Sequence, residues 1–339
     1  MNVPPKELRL QTACLATLTA IALAFSLYFL RPIMVPLVLA LVAHFILSAA
    51  TEAQNKYLKI PRPIGIGISL ILGVVTIILL WFLTSSSIQQ MADNLPRYQD
   101  KLQQFLQHAF ELLPLEKMGL EFTKLLDPVL KRLGENSARH LLTVVGGMIN
   151  LLSKATLVSI FVFFMMISKK RPLRPHSLWT EIEIQIRKYL VTKFFTSSLT
   201  GILIGLIFFG LGFDLALFFG MAAFVLNFIP SIGSIIAVIL PVPVILFTPD
   251  MNIWQIVLGL TLPSTIEFTV GNIIEPNILG ESLDLHPITI LMALIFWGMI
   301  WGFAGMLLAA PLTAIMKIIF QRLDVTRPLA GLMAGRMEE

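Results

Sequence analysis

Long apolar runs with almost no charged residues constrain this chain more than any other feature. The first run, residues 10–30, contains no charged side chain at all. Further runs follow at 32–50, 64–83, 141–167, 189–212 and 253–273. A hydrocarbon core about 30 Å thick is crossed by about 20 mostly apolar residues in a helix. The runs therefore predict an all-α polytopic membrane protein with about six full transmembrane helices.

Composition and motifs narrow the function. Of the 339 residues, 56% are apolar and 13% charged, whereas soluble domains carry roughly 25% charged residues. The net charge of +5 comes from basic residues between apolar runs, where they orient a membrane protein rather than bind nucleic acid. The chain has no HExxH, GxSxG or phosphate-loop motif and only one cysteine, Cys14. We expect no enzyme, no cofactor and no metal site.

The chain divides into three regions. Residues 1–92 are predicted to be N-terminal transmembrane helices, and 141–339 a C-terminal transport core. Between them, 93–140 carry seven basic and seven acidic residues with apolar residues at helical spacing, which predicts an amphipathic helical insertion. The basic loops fall on one side if the spans alternate. This places both termini in the cytoplasm and the insertion outside it.

Two segments of the transport core do not have the length of ordinary spans. Residues 214–247 and 285–320 are each about 35 residues long, too long for one crossing and short for two. Each segment contains a glycine at its expected turn, Gly233 or Gly305, and a proline further on. The first begins outside and the second inside, with 253–273 crossing between them, as in inverted repeats. Re-entrant hairpins are favoured, and pairs of short ordinary spans remain the alternative.

An acidic residue inside run 253–273 is the strongest functional candidate. A charged side chain at the centre of a membrane helix costs about 2.5–3.5 kcal/mol by insertion scales. On an α-helix Glu267 and Glu275 lie on one stripe with Ser264 and Gly271, and Asn272 borders it. Because a buried carboxyl group can exist neutral or charged, Glu267 and Glu275 are predicted to couple transport to protons or ions. The alternatives are a packing hydrogen bond for Glu267 and a capping or ion-pair role for Glu275.

Polar and turn-forming residues near the first hairpin are the candidate solute contacts. They are Asn227, Pro230, Ser231, Gly233 and Ser234, together with Asn272. A proline that lacks a backbone donor and a glycine that permits a tight turn would leave carbonyls and hydroxyls facing a substrate. The alternative is a solvent-facing loop between two spans.

Small residues mark close helix contacts. Gly201 and Gly205 form a small-xxx-small pair. In the second hairpin Gly298, Gly302 and Gly305 would share one face if a single helix continued through them, and Pro311 follows. These residues are predicted to serve helix packing or the hairpin turn.

The motifs resemble those of a known family. The segments NFIPSIG (227–233) and GNIIEPNILG (271–280), with 291–317, are similar to the bacterial autoinducer-2 exporter family, formerly an uncharacterised permease family. Members are described as exporters of the quorum-sensing signal autoinducer-2, as sodium (lithium)/proton antiporters, or as permeases of unknown cargo. The resemblance implies a bacterial inner-membrane location and a homo-oligomer, with a pentamer as the specific expectation.

Three functions follow as hypotheses. The first is a secondary transporter that exports a small polar solute, such as an autoinducer-2-like quorum signal, by a proton- or ion-linked cycle. The second is a sodium (lithium)/proton antiporter that uses the same carboxyl group. The third is a membrane scaffold whose outward insertion binds a partner. In each case the lipid bilayer surrounds the chain.

Overall fold

A computed structural model describes residues 6–76, 78–79, 82, 86, 155–168, 177–213, 215–248, 251–279 and 283–336. Every regular element in these ranges is helical. The first helices are α1 (Lys6–Phe29), α2 (Arg31–Leu58), α3 (Arg62–Thr76), α4 (Ala155–Ile167) and α5 (Leu178–Gly210). The later ones are α6 (Ala216–Leu226), α7 (Ile232–Ile239), α8 (Val242–Phe247), α9 (Ile253–Thr269), α10 (Glu275–Leu279), α11 (Pro287–Trp301), α12 (Phe303–Arg322) and α13 (Arg327–Met333). The predicted insertion at 93–140 lies outside the described residues.

Four helical stretches are long and apolar enough to cross a membrane. They are α2, α5, the continuous stretch Ile253–Leu279 and α12. Other apolar helices in the described ranges are shorter, such as α6 with 11 residues and α11 with 15. At 1.5 Å per residue α6 is only about 16 Å long, well under the bilayer core. In the described residues the prediction of an all-helical polytopic membrane protein is confirmed, and the number of about six full spans stays a prediction.

The chain forms two compact units. The first contains residues 1–46, 157–190 and 282–339, and the second contains 47–156 and 191–281. Helices α2, α4 and α5 contribute residues to both units. The first hairpin segment therefore belongs to the second unit and the second hairpin segment to the first unit.

Close packing of α5 on α6 positions the first hairpin. A methyl group added at Gly201 would lie 2.7 Å from the Gly220 carbonyl oxygen, and one at Gly205 would lie 3.6 Å from the Gly220 Cα. The contact requires glycine at 201 and at 220, because a Cβ at either would lie 2.7 Å from the other's carbonyl oxygen, whereas at Gly205 a Cβ would make an ordinary contact. The predicted role of Gly201 and Gly205 in helix contact is confirmed. Beside this crossing the rings of Phe208 and Phe219 are 5.4 Å apart in a buried apolar core.

The two hairpins turn in a similar way. Each has a residue with positive φ, Ser231 or Gly302, two or three positions before a buried glycine, Gly233 or Gly305. A Cβ at Gly233 would collide with the Leu226 carbonyl at the end of α6, and a Cβ at Gly305 with the Trp297 carbonyl in α11. The pairing of Gly233 with Gly305 in the sequence thus corresponds to equivalent backbone contacts.

The second hairpin corrects the prediction of one shared glycine face. The chain leaves the helical conformation at Gly302, where φ is +63° and ψ is −142°. Because α11 ends there and α12 begins, Gly298 and Gly305 lie on different helices. Gly298 instead approaches Met306 of α12, whose Cγ would be 3.1 Å from an added Cβ.

Candidate functional site

A buried polar stripe runs along α5 in the second unit. Its members are hydroxyl residues and one lysine, each at most 7% exposed: Thr192, Lys193, Thr196, Ser197 and Thr200. Their spacing of four residues places them on one side of the helix. The Thr200 hydroxyl has no hydrogen-bond partner among the described residues. The sequence analysis missed this stripe, although the TSSLT segment at 196–200 showed it.

Lys193 forms a buried ion pair with Glu275. Its Nζ is 2.7 Å from one carboxylate oxygen and 2.8 Å from the other. The side chains are 4% and 15% exposed. Lys193 lies near the start of the apolar run 189–212, and the structure buries it. A lysine is almost never fully buried unless it is paired, so Glu275 is the partner that keeps this ammonium group in the helix bundle.

Glu267 lies in the same cluster but has no hydrogen bond of standard geometry. The residue is 4% exposed, and neither carboxyl oxygen has a partner at standard hydrogen-bond length and angle within the described part of the chain. The Ser234 side chain interacts with it as a weak hydrogen-bond partner, and Lys193 and Glu275 act on it through their charges. Burying a polar group without a hydrogen bond is costly, and such exceptions need an explanation. Glu267 is thus the least satisfied group that the structure describes in this unit.

A π-helical segment, Val270–Ile274, separates the two acidic residues. Eight residues of α-helix make about 2.2 turns, so Glu267 and Glu275 would point about 80° apart. In the π segment the Glu275 N–H donates to the Val270 carbonyl, five residues earlier. A π turn contains more residues than an α turn, so each residue rotates less about the helix axis. The angle between the Glu267 and Glu275 side chains is therefore smaller than in a regular α-helix. The predicted stripe assumed a regular α-helix, which holds only as far as Thr269.

The turn of the first hairpin contacts the polar stripe through Asn227. This side chain is 2% exposed, and its Nδ2 donates to the Ser197 Oγ at 3.2 Å. The backbone then forms a strained turn, in which the Ile232 N–H donates to the Pro230 carbonyl at 2.6 Å and Ser231 has φ +61°. A turn of this kind is rare. The Ser231 side chain is exposed.

Ser234 and Asn272 have different surroundings. An added Cβ at Gly271 would be 4.0 Å from the Ser234 Oγ, which places α7 against the helix that carries Glu267. Asn272 is exposed, and its Nδ2 donates to the Phe268 carbonyl in its own helix at 3.1 Å. The structure therefore brings Ser234 to the cluster, while the Asn272 amide serves a backbone carbonyl beside the π segment.

The first unit contains a second buried lysine. The Nζ of Lys317 is 2.7 Å from Asp284 Oδ2 and 2.5 Å from the Asp284 carbonyl oxygen. Arg336 also binds this carboxylate at 3.2 Å. In the same unit Pro311 is buried within α12, and the Trp297 Nε1 donates to the Thr313 hydroxyl at 3.2 Å.

Together the fold and the site define a polytopic membrane protein with ionisable groups buried between its helices, an arrangement typical of transporters. The chain matches the family described as AI-2E family transporter over residues 18–324. It belongs to this family of membrane transport proteins. The family and its members are named for transport and not for catalysis, in agreement with the absence of enzyme motifs from the sequence.

Several relatives are similar over most of the chain. The AI-2 transport protein TqsA of Escherichia coli (strain K12) is 29% identical over 324 residues, which cover 92% of each chain. A putative transport protein of Haemophilus influenzae is 29% identical and covers 91% of each chain. A putative transport protein of Borreliella burgdorferi is 38% identical over 187 residues, 53% of this chain and 51% of that protein.

Proposed function

We propose that the chain is a secondary transporter of a bacterial inner membrane that exports a small polar solute, with Glu267 as the carboxyl group that couples export to protons. The observation that carries the proposal is the buried Glu267 carboxyl group, which has no hydrogen bond of standard geometry and only a weak interaction with Ser234. Burial of a poorly hydrogen-bonded carboxyl group destabilises the fold, so a purely structural role does not explain Glu267. A coupling residue, by contrast, has to exchange its proton and cannot be permanently bonded.

The solute path in this proposal follows the polar stripe of α5 and the turn of the first hairpin. Thr200, whose hydroxyl has no partner among the described residues, and the Asn227–Ser197 pair supply polar contacts. Ser231, which is exposed, and Pro230 would form the outer end of the path. The name of the relative TqsA refers to AI-2 transport, so we propose an autoinducer-2-like molecule as the solute.

The membrane arrangement is part of the same proposal. Helix α6 is too short to cross a bilayer, which supports a re-entrant first hairpin. The second hairpin, with equivalent glycine contacts, would enter from the opposite side. Both termini would be cytoplasmic, residues 93–140 would face outward, and the chain would assemble as a homo-oligomer.

Flux of autoinducer-2 into proteoliposomes under an imposed pH gradient tests the proposal. Glu267→Gln should lose the gradient-driven part of the flux, because an amide has the shape of the carboxyl group but cannot carry the proton. Asp324→Asn makes the same chemical change at an exposed position and should transport like wild type. Gradient-driven flux in Glu267→Gln would exclude the coupling role, and absence of flux in wild type would exclude this solute.

The other two hypotheses gain no support from the comparisons. The relatives are named as transport proteins, which does not favour a scaffold. A sodium/proton antiporter would require sodium to bind the same carboxyl groups. Addition of sodium alone to proteoliposomes that contain a pH dye distinguishes this activity, because only an antiporter would respond.

A further inference from the structure

The cluster around Glu267 contains its own cation. Lys193 has three ammonium donors, and two contacts, at 2.7 and 2.8 Å, go to the two oxygens of Glu275. Lys193 also acts on Glu267 electrostatically. The helices α7 and α8, which pack on α9, contain no titratable side chain in their described residues, and Ser234 is the polar group that α7 contributes. The charged groups that the described residues bring to this cluster are one lysine and two glutamates.

The charges of the cluster determine which ions fit. When Glu267 is protonated, the net charge of the cluster is zero, because the charges of Lys193 and Glu275 cancel. When Glu267 is ionised, the net charge is −1. One proton therefore neutralises the cluster completely. A bound metal cation needs several oxygen ligands, and both Glu275 oxygens already accept from the ammonium group. Without Lys193 the same two carboxylates would carry −2 and leave four oxygens for a cation.

We propose that Lys193 determines the coupling ion: it occupies the cation position at Glu275, so that the site accepts a proton at Glu267 and excludes sodium. This inference rests on the proposed coupling role of Glu267 and adds the identity of the ion. Lys193 is a positioning and specificity residue in this scheme and does not itself carry the proton.

Thermal unfolding of the purified full-length protein in sodium chloride and in choline chloride tests the inference. Wild type should have the same Tm in both salts. Lys193→Gln should be stabilised by sodium by about 2–4 °C, the shift expected when sodium is about ten times its dissociation constant. Lys193→Arg keeps the positive charge and should behave like wild type.

Two control variants separate a sodium site from a general effect of salt. Lys317→Gln also breaks a buried lysine–carboxylate pair, but no second buried carboxyl group is described there, so its Tm should not depend on sodium. Lys193→Gln combined with Glu275→Gln leaves one carboxyl group and should lose the sodium effect.

The outcomes are decisive in each case. Sodium-dependent stabilisation of wild type overturns the inference, even if Lys193→Gln does not fold. Absence of a sodium effect in folded Lys193→Gln overturns it as well. Failure of the coupling role would be seen in a different experiment, the proteoliposome assay, as pH-driven autoinducer-2 flux in Glu267→Gln. The two failures can therefore be told apart.

Discussion

Two lysines are buried in the described helices, each 3% exposed, yet their surroundings differ. In the first unit Lys317 and Arg336 share the carboxylate of Asp284, and backbone carbonyl oxygens complete the contacts of the ammonium group. In the second unit Lys193 alone faces Glu275 and a further acidic residue. One site has two cations for one acid, and the other has one cation for two acids.

The difference separates a structural clamp from a site that can change its charge. At Asp284 every carboxylate oxygen has a cationic partner. At Glu267 neither carboxyl oxygen has a hydrogen bond of standard geometry in the described residues. Buried polar networks that are fully satisfied rigidify a fold, whereas an unsatisfied group is costly. Buried charge by itself is therefore no guide to function in this protein, and the missing hydrogen bond is the informative feature.

Removal of Lys317 should give the largest effect. Lys317→Ala leaves Asp284 with Arg336 alone, leaves two backbone carbonyl oxygens without their ammonium donor and opens a cavity at a buried side chain. Together these losses should cost about 3–5 kcal/mol of unfolding free energy. Arg322→Ala breaks an exposed pair with Glu181, 55% and 35% exposed, and should cost less than about 1 kcal/mol. Thermal unfolding in detergent measures both variants. Equal losses would mean that the Lys317 site is not a clamp.

Removal of Glu275 should cost less than removal of Lys317, because Glu267 can replace it beside Lys193. We expect Glu275→Gln to lose about 1–3 kcal/mol and Glu267→Gln to lose almost nothing. The double variant leaves a buried lysine unpaired and should lose about 3–5 kcal/mol. A double-mutant cycle on unfolding free energies measures this coupling. Additive losses would show that Glu267 does not interact with Lys193.

The hairpin turns should respond in opposite directions to small substitutions. Ser231→Gly relieves the positive φ of +61° and should stabilise the protein by up to about 1 kcal/mol. Gly302→Ala introduces a side chain at φ +63° and should destabilise it by about 1–3 kcal/mol. Unfolding temperatures show both effects. A stabilising Gly302→Ala would contradict the described turn.

The sequence predicted the features that follow from composition and local chemistry. The all-helical membrane fold follows from charge-free runs, because hydrocarbon rejects both charge and open backbone. Glu267 was identifiable because an acid in an apolar run is expensive. The equivalence of Gly233 and Gly305 was visible as well, because each must pass close to a backbone carbonyl.

Partners across the fold were not predictable. A lysine near the start of an apolar run has the same sequence context whether it reaches the interface or turns inward, so Lys193 and Lys317 were missed. The π segment was missed because periodicity analysis assumes 3.6 residues per turn. For Asn272 the sequence indicated only a polar side chain. In the structure its amide donates a hydrogen bond to the Phe268 carbonyl and is not directed to the cluster.

The length of α5 has a consequence for proton entry. With 33 residues the helix is about 50 Å long, some 20 Å more than the hydrocarbon thickness, so it must tilt or protrude. Its charged first turns, which include Glu181 and Arg187, mark the protruding end. Lys193 is six residues past Arg187, about 9 Å along the axis, so in the proposed transporter the ion pair would lie near the headgroups. Glu267, eight residues before Glu275 and at most about 12 Å from it along the helix axis, would then be within reach of a short file of water molecules from that surface.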